Sequence, residues 1–360
     1  MVFRVPSYYY EFACIAGSCK DSCCIGWEIV IDKDTVEKLN AIPGQEGEEL
    51  RSHIQFGETT QFILDAQERC PFLNEQNLCE MILRYGKDAL CQICSDHPRF
   101  YEWFGDVKEG GLGLCCEEAA RIILDANDPF KIVETEIPCE DCADFDEELY
   151  ICLTSARNEI FRILQNQSVS VSERICRMLD FAQIMQERTD NGIFELPKEI
   201  AEIPAEAGDI PEILEFMQTL EAIDSNWHGK LRKVSERFEV ICANRERFAT
   251  ENPQVSAYLR NVAAYFIWRY FLKGTFDGEY LSRVKLSAVS AAVIGCLFID
   301  RWLEYGSLSL LECAEIAKNY SKEIEYSEEN LNAMLDAAYE LAGMSAAGLK
   351  GVFLGEATQK

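Results

Sequence analysis

The sequence predicts a mainly α-helical protein in which a small, cysteine-rich N-terminal domain that holds a metal cluster packs on an all-helical C-terminal domain. Ten of the 17 cysteines lie within the first 125 residues, in short groups beside Gly, Pro or Asp, where a chain can bend several thiolates around one centre. Past Asp146, apolar residues recur at helical spacing through most of the remaining chain. We therefore predict a cysteine-rich domain over residues 1–126 and a helical domain over residues 127–360.

Composition and charge limit the classes of partner. Hydrophobic residues make up 48% of the 360 residues, enough to bury a core without cross-links. The formal charge of −28 argues against nucleic acid and against an anionic membrane. It would attract a basic partner or a lysine-bearing substrate, although acidity that only keeps the protein soluble is the simpler explanation. We find no signal peptide and no apolar run of membrane-spanning length, so we expect a soluble, cytoplasmic protein.

Apolar faces, caps and breaks predict the helices of the C-terminal part. The first two helices each carry one apolar face, and Ser172 is the expected N-cap of the second. The two faces consist of Leu149, Leu153, Ala156, Ile160 and Leu164, and of Ile175, Met178, Leu179, Ala182 and Met185. Further helices are predicted over residues 209–220, 252–274, 308–320 and 328–341. Residues 284–305 are apolar on nearly all sides, which predicts a central helix.

The cysteines could form disulfides, fill the core or bind metal. Without a secretory signal, a disulfide framework is not expected. Isolated cysteines within helical apolar patterns are predicted to be core residues, and these are Cys152, Cys176, Cys242, Cys296 and Cys313. The N-terminal groups have short spacings and polar surroundings, so we predict that they supply metal ligands.

Four-cysteine coordination suits either a structural zinc or an iron–sulfur cluster. Common zinc modules use two Cys-x-x-Cys pairs, and the N-terminal set contains one, Cys91–Cys94. The adjacent pairs Cys23–Cys24 and Cys115–Cys116 suit a larger cluster, or one ligand beside one packed neighbour. Gly26 stands where the Cys-x3-Cys-x2-Cys pattern of radical enzymes needs its third cysteine, so that mechanism is not predicted. Cys139–Cys142 is a further pair that would need a partner pair to form a metal site.

Standard catalytic signatures are absent from the sequence, including the P-loop, the nucleophile elbow and His-Glu-x-x-His. Gly110-Gly111-Leu112-Gly113 precedes a predicted helix, but the residues before it do not have the pattern of a buried strand. We therefore interpret it as a turn rather than as a dinucleotide loop. The three histidines are too few for a histidine-rich metal site.

Five short motifs occur in a specific order along the cysteine-rich segment. They are Asp21-Ser22-Cys23-Cys24, Cys70-Pro71-Phe72-Leu73, Leu78-Cys79-Glu80-Met81, Cys94-Ser95-Asp96-His97-Pro98-Arg99 and Cys115-Cys116-Glu117-Glu118. Together they resemble the flagellin lysine-N-methylase family, and the resemblance continues into the helical part at residues 157–166 and 265–271. Glu117 departs from the family pattern, since proline is expected after the final cysteine.

The resemblance implies methyl transfer from S-adenosylmethionine to lysine side chains of flagellin, and a 4Fe–4S cluster held by N-terminal cysteines. The implied ligands are drawn from Cys23, Cys24, Cys70, Cys79, Cys94 and Cys116, with Cys19 and Cys91 in reserve. About one cysteine from each group would be used, and catalytic residues are not assigned. Nearby aromatic residues are candidates to hold the sulfonium cation or simply to pack the domain, and these are Tyr8, Tyr9, Tyr10, Trp27, Phe100, Tyr101 and Trp103.

The role of such a cluster is open at this point. It could fix loops of the N-terminal domain, or it could keep one iron open for the amino-acid end of S-adenosylmethionine. The missing glycine-rich cofactor loop motivates the second hypothesis. A rival from another class is a non-enzymatic protein-interaction module shaped by zinc or by a cluster.

Overall fold

The computed structural model describes residues 1–26, 28–57, 59–138 and 145–355, and within them the chain is mainly helical, as predicted. The strands are β1 (Val2–Pro6), β2 (Ile54–Gln55), β3 (Gln61–Phe62), β4 (Arg99–Phe104), β5 (Val107–Leu112) and β6 (Ile132–Glu136). The α-helices are α1 (Lys33–Asn40), α2 (Gly44–Ser52), α3 (Glu80–Tyr85), α4 (Gln92–Asp96), α5 (Glu117–Asp125), α6 (Glu147–Gln165), α7 (Val171–Asp190), α8 (Ile210–Met217), α9 (Trp227–Glu236), α10 (Phe238–Ala243), α11 (Arg245–Glu251), α12 (Val255–Tyr270), α13 (Gly274–Asp277), α14 (Tyr280–Tyr305), α15 (Leu310–Glu325), α16 (Glu328–Glu340) and α17 (Ala346–Leu354).

The chain divides into two compact units. The helical unit comprises Met1–Phe12, Tyr101–Cys115 and Ala119–Lys360, and the cysteine unit comprises Ala13–Phe100 and Cys116–Glu118. This division differs from the predicted boundary after residue 126, because both ends of the cysteine-rich segment belong to the helical unit. Strand pairing between residues distant in sequence causes the difference, and a local pattern does not reveal such pairing.

A four-stranded sheet has the order β4-β5-β1-β6, and its strand β6 lies within residues 127–360, so the expectation of an all-helical second part is wrong. β1 pairs in parallel with β5, with Phe3 opposite Lys108, and antiparallel with β6. β5 contains Gly110 and Gly111, which the sequence analysis assigned to a turn. A β-carbon at Gly110 would lie 2.9 Å from Cε2 of Phe3. This glycine therefore permits the close approach of a ring within the sheet rather than a turn.

The apolar periodicity predicted the helical core correctly. Every residue of the two predicted apolar faces on α6 and α7 is buried. The central helix is α14, whose length and composition would allow it to cross a membrane, contrary to the expectation that no such run exists. However, 94% of the most apolar 18-residue stretch of α14 is buried inside the fold. Such burial is typical of the core helix of a globular unit.

The predicted helix ends were less accurate than the helices themselves. Ser170, and not Ser172, caps α7, since its hydroxyl oxygen accepts a hydrogen bond from the Glu173 amide at 3.1 Å. Asn252 follows α11 instead of starting a helix, and Gly274 begins α13 instead of ending α12. Neighbouring residues of the same capping type compete, and the backbone conformation that packing allows selects among them.

The cysteine unit is built from short elements, and the Asp32 side chain binds the starts of two of its helices. An oxygen of Asp32 accepts a hydrogen bond from the Thr35 amide at 2.9 Å and so caps α1. The other oxygen accepts from the Gln92 amide at 2.7 Å, which ties the start of α4 to the start of α1. Gly86 follows α3 with a φ of 80°, a backbone conformation that favours glycine. Such caps matter here because helices of one or two turns are marginal on their own.

Two buried ion pairs join distant elements of the helical unit. Arg157 on α6 donates two hydrogen bonds to the carboxylate of Glu109 on β5, each 2.6 Å long. The two side chains are only 4% and 5% exposed. Lys350 on α17 donates to Asp180 on α7 at 2.8 Å. Removal of one partner would leave the other charge buried and unpaired, which is strongly destabilising.

We predict that Glu109→Gln lowers the free energy of unfolding of the helical unit by about 3–5 kcal/mol. The reason is that the Arg157 guanidinium would stay buried without a compensating charge. Urea denaturation followed by far-UV circular dichroism measures the loss.

Glu159→Gln is the matched control, because Glu159 pairs with the Arg162 side chain, which is 71% exposed. Its cost should stay below about 1 kcal/mol. Equal losses for both variants would contradict the importance of the buried pair.

Candidate metal centre

Five cysteines from four sequence groups share the core of the cysteine unit. Cys70 and Cys91 are buried members of its apolar cluster. Cys24, Cys79 and Cys94 are partly buried and pack against the same cluster. The sequence predicted these cysteine groups from their short spacings, and the fold places members of four groups in one apolar cluster.

Backbone contacts fix the relative positions of these cysteines. The Cys70 amide donates to the carbonyl of Cys24 at 2.8 Å, which joins the first two groups. Cys79 forms an isolated antiparallel bridge with Leu73, and it directly precedes α3. Cys91 directly precedes α4, and Cys94 lies within that helix. The cysteines therefore sit on turns and helix starts, where backbone amides are available to sulfur.

The sulfur atoms of Cys91 and Cys94 lie 3.3 Å apart and share one hydrogen bond. This hydrogen bond lowers the pKa of Cys91 and, for the same reason, raises the pKa of Cys94. Burial raises the pKa of Cys70 to about 12, and the Phe72 amide partly opposes it. Burial also raises the pKa of Cys79, and the amides of Ile82 and Met81 act in the opposite direction.

A second thiol pair is formed by the adjacent residues Cys23 and Cys24. A hydrogen bond from Cys23 lowers the pKa of Cys24 to about 7, against the effect of burial and with help from Ser22 and Arg69. The same bond raises the pKa of Cys23, which is exposed. Cys24 is therefore the member of this pair that most readily supplies a thiolate at neutral pH.

The remaining candidate ligands, Cys19 and Cys116, lie near the ends of the unit. The Cys19 thiol donates to an oxygen of Glu117 at 3.4 Å, and the Lys20 amide donates to the same oxygen at 2.8 Å. Glu117, which departs from the family pattern, thus joins the first cysteine group to the last. The sequence did not reveal this role of Glu117, because the hydrogen bond joins residues that are 97 positions apart in the chain.

The cysteines outside this set behave as expected from their surroundings. Cys152, Cys176, Cys296 and Cys313 are buried in the helical unit, as predicted, whereas Cys242 is half-buried. Cys115 belongs to the helical unit, and burial raises its pKa to about 11. The predicted pair Cys139–Cys142 and the aromatic candidate Trp27 lie outside the described residues.

The cysteine side chains in this core have the chemistry needed to bind a metal group through thiolates. Several thiols that originate from separate loops share one core, and backbone amides interact with Cys70, Cys79 and Cys91. Hydrogen bonds to sulfur are also a property of iron–sulfur sites. Within the described parts of the chain, no group of three or more Cys, His, Asp or Glu side chains is arranged to hold a metal ion.

A buried polar network in the helical unit was not anticipated from the sequence. The carboxylate of Glu325, which is 1% exposed, accepts hydrogen bonds from the hydroxyls of Tyr265 and Tyr270 at 2.7 and 2.9 Å. Arg269 donates to the Tyr265 hydroxyl at 2.7 Å, and the Leu114 amide donates to it at 3.1 Å. Burial raises the pKa of both tyrosines, which keeps them protonated as donors. Arg269 also pairs with the Glu325 carboxylate at 3.1 Å, so the network contains a buried ion pair beside the loop that precedes α5.

Comparison with known proteins supplies a family. The sequence model of the FliB lysine N-methylase C-terminal domain matches residues 157–348. Lysine-N-methylases of Salmonella typhimurium and Salmonella choleraesuis are each 30% identical over 141 residues, which is 37% of this chain and 35% of theirs. The flagellar biosynthetic protein FliU of Salmonella muenchen is 32% identical over 133 residues, 34% of this chain and 76% of its own. These alignments thus span about a third of the curated lysine-N-methylases. No solved structure matches the chain.

We predict that iodoacetamide alkylates Cys24 of metal-free protein with a pH midpoint of about 7. The thiolate is the reactive form, so the rate should rise as pH increases through the lowered pKa. Cys242 is the internal reference, because burial raises its pKa and its reaction should require more alkaline pH. Mass spectrometry of peptides measures both rates.

Cys23→Ala removes the thiol that donates to Cys24 and should shift the Cys24 midpoint upward, while leaving Cys242 unchanged. A Cys24 midpoint that is insensitive to this substitution, or equal to that of Cys242, would show that the pair does not share a proton in this way.

Proposed function

The chain belongs to the FliB lysine N-methylase family, and from this premise we propose that it is an enzyme that methylates lysine side chains of a protein substrate. The observation that carries the proposal is the family match, which covers more than half of the chain, residues 157–348. We propose S-adenosylmethionine as the methyl donor, as the sequence resemblance implies. The charge of −28 supports a substrate rich in lysine, because an acidic surface attracts basic segments.

Flagellin is the substrate that the resemblance implies. The name of the relative FliU, a flagellar biosynthetic protein, is in keeping with this choice.

The reaction itself sets a requirement for the enzyme, because a lysine amine attacks a methyl group only in its neutral form. The enzyme must therefore accept a proton from the amine or lower its pKa by desolvation.

We further propose that the cysteine unit holds an iron–sulfur cluster, with ligands drawn from Cys24, Cys70, Cys79 and Cys94. These four residues come from the four groups whose thiols share one core. Cys19, Cys23, Cys91 and Cys116 are the remaining candidates, in line with the resemblance. Bound by four cysteines, the cluster would cross-link loops that otherwise depend on short elements. Bound by only three of them, it would also leave one iron open for the amino-acid end of the methyl donor. Zinc in the same thiol set is the alternative.

Methyl transfer is tested with anaerobically purified, metal-replete protein, labelled S-adenosylmethionine and purified flagellin. We expect label on flagellin lysines, identified by mass spectrometry, and none on flagellin whose lysines have been acetylated. Sustained absence of transfer to flagellin and to other lysine-rich proteins would favour a non-enzymatic interaction module.

The metal is tested by Cys79→Ser, with Cys242→Ser as the control. We expect the unsubstituted protein to be brown, to absorb broadly in the visible and to contain iron and sulfide. Cys79→Ser should lose the colour, because Cys79 lies in the shared core, whereas Cys242→Ser should keep it, because Cys242 lies in the helical unit.

A colourless protein that contains zinc would overturn the iron–sulfur assignment while leaving the thiol site in place.

Binding of S-adenosylmethionine to metal-free protein separates the two roles of the cluster. Unchanged binding would assign the cluster a purely structural role.

A further inference from the structure

A cavity of about 160 Å³ lies between helices of the helical unit. Residues of α7, α11, α12, α14 and α17 line it. An engineered apolar cavity of about 150 Å³ in another protein binds benzene, so this volume suits one ring or a short aliphatic chain. The cavity therefore limits its ligand to a small molecule.

Small residues on the central helix create the cavity. Ala291, Ala292 and Gly295 share one side of α14, and all three line the cavity. A β-carbon at Gly295 would lie 3.4 Å from Cδ1 of Leu259 on α12, which is an ordinary contact distance. Buried apolar side chains from three other helices complete the wall, and these are Ile175, Phe248 and Val352. The interior is thus suited to the apolar part of a ligand.

The cavity opens to solvent on one side. Ala249 and Ser256 line it and are exposed, so a ligand can enter without unfolding of the helices. Ser172, which the sequence analysis expected to cap α7, is a half-buried residue of the same wall. The entrance therefore combines an open path with hydroxyl groups, while the interior is apolar.

A positive charge lies beside this cavity. Arg245 lines it and is half-buried, and its Nη1 donates to the carbonyl of Val352 at 2.6 Å. Among the described residues, no carboxylate pairs with the Arg245 guanidinium. Arg247 on the same helix differs, because it pairs with Glu251 at 2.8 Å. Arg245 is thus held in position while its charge and further N–H donors stay available to an anion.

The charge of Arg245 acts on the cavity wall. Cys296 is 2% exposed and lines the cavity. Burial raises the pKa of the Cys296 thiol to about 11, and the nearby Arg245 guanidinium acts in the opposite direction. An anion inside the cavity would experience the same attraction, which is stronger there than in water because the surroundings are apolar.

We propose that this cavity binds a small organic carboxylate, with an apolar body of about five to seven carbons among the helices and the carboxylate on Arg245. The proposal is independent of the proposed methylation, because it involves neither the methyl donor nor a substrate lysine. Such an acid would bind only the folded helical unit and would therefore stabilise it.

The test is a titration of the full-length, anaerobically purified protein with benzoate, and benzyl alcohol is the neutral probe of similar size. We expect benzoate to bind roughly tenfold more tightly, because only the carboxylate forms charged hydrogen bonds with a guanidinium. Ligand-observed NMR measures both affinities. Benzoate should also raise the melting temperature of the protein.

Substitutions of Arg245 test the charge. Arg245→Gln should weaken benzoate binding roughly tenfold and change benzyl alcohol binding less than about twofold. Arg245→Lys keeps the charge and should retain part of the preference for benzoate. Arg247→Gln is the matched control on the same helix, and it should leave both affinities unchanged because Arg247 already has a carboxylate partner.

Substitutions on α14 test the cavity. Gly295→Ala adds one methyl group at an ordinary contact distance, so the protein should fold and bind both probes roughly threefold more weakly. Ala292→Leu fills more of the cavity and should abolish binding of both probes. Circular dichroism and the melting temperature without probe establish that each variant is folded.

The proposal is overturned if benzoate and benzyl alcohol bind equally, or if neither binds at millimolar concentrations. It is also overturned if folded Arg245→Gln keeps the full affinity for benzoate. Benzoate binding that depends on Arg245 but is unchanged in folded Gly295→Ala and Ala292→Leu would place the acid on the surface and would reject the cavity as its site.

Discussion

A buried ion pair between Glu109 on β5 and Arg157 on α6 sets the position of the sheet on the helices. The Arg157 guanidinium also lies 4.3 Å from the ring centroid of Trp268, whose indole nitrogen donates to the carbonyl of Gly110 at 3.0 Å. Two successive residues of β5 are thus held from the helical side by charge, stacking and a backbone hydrogen bond. Side chains alternate along a strand, so Lys108 and Gly110 must face the other way. The close approach of the Phe3 and Tyr101 rings at Gly110 depends on this constraint, because a slip of one residue would exchange the two sides.

The cysteine unit obeys a different constraint, which is the cost of burying thiolates. Burial raises the pKa of Cys70 and Cys79, so in the absence of a metal these sulfurs keep their protons. Within the Cys23–Cys24 and Cys91–Cys94 pairs one proton is shared, and one thiolate is favoured in each. A metal supplies the positive charge that buried thiolates need, and its binding releases their protons. Metal binding and folding of this unit would then be coupled, because its short helices contribute little stability by themselves.

The two units carry different parts of the proposed function. The family match covers residues 157–348, which lie entirely in the helical unit, while the candidate metal ligands lie in the cysteine unit. In the helical unit, the buried Glu325 carboxylate accepts hydrogen bonds from Tyr265 and Tyr270 and pairs with Arg269 at 3.1 Å, so its charge is compensated.

The sequence by itself determined the helices of the core and the grouping of the cysteines. An apolar face at helical spacing has few alternatives once it must be buried, and thiols grouped at short spacing beside Gly, Pro or Asp predict metal ligands. The exact helix ends, such as the cap at Ser170 in place of Ser172, were decided by packing. Only the tertiary structure placed β1 beside β5, turned the glycines near Gly110 into a strand, and joined Cys19 to Glu117. Each of these features is a contact between residues far apart in sequence, and no local period or propensity encodes such a contact.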